Sequence, residues 1–193
     1  MLNKIFIRPL IIIALLNFIV ACSKDEPVHV HEEELITRVT LKVKKQGTSE
    51  EQTYSWNDDH DDHEGDEDHD EEAAAHIELE SGSVYEVEVF FYNASDPSAI
   101  EDITEEVKNE ADDHQVFYDF INATGIIIAT ASGDTKDSNG KPLMLKTLWT
   151  TTAVTQGELR VYLIHEPTSK TGSNRDDFGG ETDVEGDFHL DVE

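Results

Sequence analysis

Alternation with a period of two is what most limits the folds open to this chain. Leu35, Thr37, Val39, Leu41 and Val43 fall on one side of a run whose other side holds Arg38, Thr40, Lys42 and Lys44. A strand with one buried face makes a coherent surface of such a pattern, and a helix does not. Thr53 to Trp56 reads as a second, short strand after the turn Gln46-Gly47-Thr48-Ser49. Ala75 to Glu80 alternates again, with Ile77 and Leu79 inward. Val84 to Tyr92 follows, with Tyr85, Val87, Val89 and Phe91 on one face. Further strand-like runs cover 115–121, 125–131, 144–153 and 158–165. In the last run, Val184, Gly186, Phe188, Leu190 and Val192 share a face, and Asp183, Glu185, Asp187, His189 and Asp191 take the other.

One segment breaks the period. Ser95-Asp96-Pro97-Ser98 looks like a capped helix start, and Ile100, Ile103, Val107 and Ala111 recur at helical spacing, which predicts a helix over about 97–111. Residues 168–180 read as an exposed loop. About nine strands with turns between them predict a mainly β fold, an immunoglobulin-like antiparallel sandwich with one short inserted helix; a small β-barrel is the alternative.

Between the second and third strands lies residues 57–72, with seven Asp, four Glu, three His and no Lys or Arg. It has no apolar side chain to bury, and its charges repel one another. Imidazoles mixed among carboxylates suit a borderline transition metal, zinc first. The candidate ligands are His60, His63, His69 and His76, with Asp59, Asp62, Asp66 and Asp68 among the carboxylates. His60 and His63 are three apart and can chelate one ion together. The donors outnumber the roughly four that zinc needs, so several arrangements compete. Calcium binding and a merely solvating acidic loop are the other readings.

Four more histidines are secondary candidates. His29 and His31 form a His-x-His pair beside Glu32, Glu33 and Glu34. His114 follows Asp112 and Asp113, and His165 ends a strand just before Glu166. If His114 and His165 meet near Asp112 or Glu166, they make a pre-organised metal site; otherwise each is an ordinary core or rim histidine. Asp134 to Gly140 has the composition of a calcium loop without EF-hand spacing, so a hairpin turn is the better reading.

The first 21 residues read as an export signal. Lys4 and Arg8 precede a mostly apolar run, Leu10 to Ala21, too short for a comfortable membrane span. Ile19-Val20-Ala21-Cys22 resembles the lipobox of bacterial lipoproteins, which implies cleavage before Cys22 and lipidation of its thiol. Ser23-Lys24-Asp25-Glu26 resembles a surface-export signal of Gram-negative lipoproteins; a periplasm-facing anchor is the alternative. Residues 22–34 then form a flexible tether and 35–193 a single domain. Cys22 is the one cysteine, so no disulfide can form within the chain. Loss of residues 1–21 removes two bases and no acids, taking the formal charge from -29 to -31. Such a chain repels nucleic acid and attracts cations.

Glu33 to Leu41, Ile100 to Val107, Ala111 to Gln115 and Gly179 to Val184 resemble a group of small bacterial surface lipoproteins labelled type 1 periplasmic binding fold superfamily proteins. The resemblance covers most of the chain after the signal and implies lipid anchoring. The two α/β lobes that the label names and the sandwich that the strand pattern predicts are alternatives. No nucleophile motif, phosphate-binding glycine loop or Walker sequence is present. The expected function is therefore non-enzymatic: capture of a divalent metal, zinc first, for hand-over to an outer-membrane transporter. The alternative is a protein- or glycan-binding adhesion module.

Overall fold

The computed structural model describes residues 34–58 and 75–193, and residues 33–193 group into one compact unit. Cys22, His29, His31, Asp59, His60, Asp62, His63, Asp66, Asp68 and His69 lie outside the described residues.

Two sheets face each other across an apolar core. The first contains β1 (Arg38–Lys45), β2 (Glu51–Asn57), β4 (Val84–Asn93), β5 (Glu101–Asp102), β7 (Ile126–Thr130) and β8 (Lys146–Thr151). Its order is β2-β1-β4-β8-β7, with the two-residue β5 paired to β4. The second contains β3 (His76–Leu79), β6 (His114–Ile121), β9 (Thr155–His165) and β10 (Glu181–Val192), in the order β3-β10-β9-β6. All pairs are antiparallel except β3 with β10. The result is a β-sandwich; the barrel is not formed, and neither are two α/β lobes.

The alternation seen in the sequence sets which side chains meet. Val39, Leu41, Val87, Val89, Phe91 and Trp149 from one sheet pack with Ile77, Leu159, Val161, Leu163, Phe188 and Leu190 from the other. Trp149 is fully buried, donates its indole N–H to Thr147 Oγ1, and meets Tyr118 and Phe120 edge-on at 5.6 and 5.5 Å. Truncating such a ring to Ala costs about 3–5 kcal/mol. At the N-terminal edge the alternation misleads. Leu35 is exposed and Ile36 is buried, because the chain has not yet entered β1.

The helix is shorter than its periodicity predicts. α1 spans Thr104–Asn109 only. Asp96 is not a helix cap: its carboxylate closes an Asx turn onto Ser98 N, and Ile100 stays exposed. Asp102 Oδ1 instead accepts from Thr104 N at the true start. The segment 168–180 is also more than an exposed loop. A 3-10 turn at Arg175–Phe178, closed by an Asn174–Asp177 capping box, lays Phe178 over the outer face of the second sheet, 4.9 Å from Phe117.

β2 and β3, which flank the acidic run, are edge strands of different sheets. The chain therefore passes from one sheet to the other between Asp58 and Ala75, and does not close a hairpin.

Candidate metal centre

Three adjacent strands of the second sheet bring their ends together at one point. His114 opens β6 and His165 closes β9, and the two are direct cross-strand partners. Their rings stack at 4.9 Å with an interplanar angle of 26°. On the next strand, Glu181 pairs with His165 and Thr182 with Ile164, but Val184 then pairs with Leu163. Asp183 is the extra residue of a β-bulge at this register shift. A bulge re-aims one side chain against the local alternation. Asp183 accordingly turns inward, with a side chain only 6% exposed.

The backbone leading into the bulge is pinned. Gly180 has φ +64°, and a Cβ there would lie 2.1 Å from His165 O, so only glycine admits this close approach. Arg175 donates to Gly179 O, Gly180 O and Thr182 Oγ1, fixing the same turn from outside.

Two further groups close the cluster. Glu34, just ahead of β1, reaches in with a side chain 9% exposed. Glu110, at the end of α1, supplies its backbone carbonyl to His114 Nδ1 at 3.1 Å. A carbonyl oxygen only accepts, so Nδ1 carries the proton and Nε2 of the neutral ring presents a lone pair. That Nε2 has no hydrogen-bond partner among the described residues although it is fully buried. Asp183 Oδ2 lies 3.7 Å from it and Glu34 Oε2 3.9 Å. Glu34 Oε2 also has no hydrogen-bond partner. His165 Nδ1 lies 3.5 Å from Asp183 Oδ1.

These separations exceed those of good hydrogen bonds but suit ligands of one ion. Zinc–nitrogen and zinc–oxygen bonds of about 2.0–2.2 Å put tetrahedral ligands roughly 3.3–3.6 Å apart. One donor atom each from His114, His165 and Asp183 falls within 4.8 Å of the others, and Glu34, Glu110 and His114 form a second such group. The proton bound by Glu110 O is the kind of outer contact that orients a metal-binding imidazole.

The electrostatics agree. Burial lowers the pKa of His114, so the imidazole stays neutral and available. Burial, followed by the charges of Glu106, Asp183 and Glu110, pushes the Glu34 carboxyl up to about 7. A proton there relieves part of the repulsion among these carboxylates.

The structure thus joins His114 and His165 as the sequence allowed, but with different carboxylates. Asp112 turns away to accept from Ser138 N, and Glu166 is exposed. Glu34 ends a run that reads as a tether and Asp183 faces solvent by alternation, so neither belongs to the expected site. His76, expected with the acidic run, is exposed on β3. Its Nε2 lies 2.7 Å from Asp191 Oδ2, and its ring is 6.2 Å from that of His189. The cluster's geometry allows a divalent metal. No family model, curated protein or solved structure matches this chain.

Proposed function

We propose that this protein binds a divalent transition metal, zinc first, through His114 Nε2, His165 Nδ1 and the carboxylates of Asp183 and Glu34. The observation that carries this reading is the buried His114 Nε2 lone pair, which has no hydrogen-bond partner among the described residues and lies 3.7 Å from Asp183 Oδ2 and 3.9 Å from Glu34 Oε2. Burying acceptors against acceptors costs free energy that a bound cation recovers. His114, His165 and Asp183 offer three ligand atoms within 4.8 Å of one another, and Glu34, which groups with His114, is the candidate for a fourth.

In this reading Cys22 carries the lipid anchor, and the donors of residues 57–72 concentrate cations near the cell surface while the sandwich holds one ion tightly. Delivery to an outer-membrane transporter is the role that fits such an anchored, non-catalytic binder. Titrating the purified full chain with zinc by calorimetry tests the site. His114→Ala should weaken the tight event about a hundredfold or more, as loss of one ligand from a closed site does. Tight binding that survives both His114→Ala and His165→Ala would refute the assignment.

A further inference from the structure

β7 is an outer strand of the first sheet, paired only with β8. The register fixes which of its backbone groups are free. Thr152 N donates to Gly125 O at 2.7 Å, and Ala131 N to Lys146 O at 3.0 Å, so both are hydrogen-bonded positions of the antiparallel ladder. Such positions alternate with non-bonded ones. Ile127 and Ala129 therefore bond to β8, while the N–H and C=O groups of Ile126, Ile128 and Thr130 point away from it. Those groups make no hydrogen bond among the described residues.

A free row of this kind is a template for another strand, and charged side chains are a common guard against it. The other outer strands carry that guard: β2 has Glu51, β3 has Glu78 and β6 has Asp119. β6 is also covered in part by Leu143, whose carbonyl accepts from Val116 N. β7 has no charged residue, and none occurs from 120 to 133 in a chain with 43 acids and 14 Lys and Arg residues. No bulge interrupts its register. Ile127 is 59% exposed, and Ala153, next to exposed Val154, lies against Gly125 at the head of the strand.

We propose that β7 is a self-association edge, pairing antiparallel with β7 of a second copy of this chain about a two-fold axis at Ile128. The free groups are self-complementary in that register. Ile126 meets Thr130 of the second copy and Ile128 meets its own counterpart, so each free N–H finds a free C=O. Ile127 then packs beside Ala129 of the second copy and loses its exposure. Charge selects a second copy at this edge. Two chains this acidic repel wherever their acids meet, and β7 is the outer strand that brings none to the joint. The metal centre lies on the other sheet, so neither proposal rests on the other.

Sedimentation velocity and amide hydrogen exchange on the purified full chain test this. A dimer should form as protein concentration rises, and added salt should tighten it by screening the two acidic bodies from each other. In the dimer, the amides of Ile126, Ile128 and Thr130 should exchange at least about tenfold more slowly than in the dilute chain. Ile127→Glu, at an exposed position, should weaken the dimer about tenfold or more by placing like charges at the joint. Ile128→Pro removes an N–H that β8 does not use and should act in the same direction. If that variant does not fold, Ile127→Glu and the exchange pattern decide. A chain that stays monomeric at every concentration overturns the proposal. So does a dimer in which those three amides exchange as in the monomer, a dimer indifferent to Ile127→Glu, or protection that appears only when a different protein is added.

Discussion

Two buried acidic groups in this sandwich are handled in opposite ways. Asp134 is nearly enclosed, and its carboxylate accepts from Thr130 Oγ1 at 3.2 Å and from the backbone N–H groups of Met144 and Lys146, both at 2.9 Å. Every bond it makes is to a donor, so the charge is solvated by the fold itself. The Glu34–His114–Asp183 group is enclosed to a similar degree, yet His114 Nε2 and Glu34 Oε2 have no hydrogen-bond partner among the described residues. Burial of an acid therefore does not distinguish a site from a structural link; the presence or absence of donors does. Asp134, which the composition of 134–140 associates with calcium, is a hairpin brace. The geometry of the histidine cluster allows a divalent metal.

The largest effect separating these two regions should come from Asp134→Ala. It leaves three donors without their acceptor, and at about 1 kcal/mol each the loss is about 3 kcal/mol of stability. Urea unfolding measures it as a shift in midpoint at unchanged slope. Zinc affinity of the folded variant should be unchanged. If it falls with stability, the two regions are not separate and the comparison fails.

Glu34 gives a smaller effect that depends on pH. Its folded pKa of about 7 lies above the ordinary glutamate value of 4.5, with burial as the main cause. The fold thus favours the protonated acid. The stability this contributes is full below about pH 4.5, is lost as pH rises toward 7, and stays lost above. Discounted for partial exposure, the change is about 2 kcal/mol. Glu34→Gln should abolish that step and leave the metal-free protein more stable than wild type at pH 8. Bound zinc reverses the preference, because it needs the ionised carboxylate. A Glu34→Gln variant destabilised at pH 8 would mean that the carboxylate is already compensated without metal.

Much of the fold was legible because burial on one face leaves a period of two in the sequence. β1, β3, β4 and β10 carry that record in Val39-Leu41-Val43, Ile77-Leu79, Tyr85 to Phe91 and Val184 to Val192. The same rule hid the site. Asp183 reads as outward by alternation, and only the bulge against β9 turns it in. Glu34 sits in a polar run that looks like linker, and its role depends on where β1 enters the sandwich. His114 and His165 become neighbours through the β6–β9 register, which local pattern does not encode. Sequence proximity therefore points to Asp112 and Glu166 as carboxylate partners, whereas Glu34 and Asp183 lie on other elements.

The smallest effect concerns the donors most visible in the sequence. Replacing His60, His63 and His69 by Ser leaves loop length intact and removes every imidazole from residues 57–72. If the buried cluster holds the ion, tight zinc affinity should change by less than about threefold, and only weaker additional equivalents should disappear from the titration. The reason is pre-organisation. His114, His165 and Asp183 already offer ligand atoms within 4.8 Å of one another, whereas like charges crowded in an acidic run repel one another and oppose gathering around one ion. A variant that loses the tight event would reverse this ranking: abundance of donors would then outweigh their placement, and the cluster beneath would be a proton-holding core instead of a metal centre.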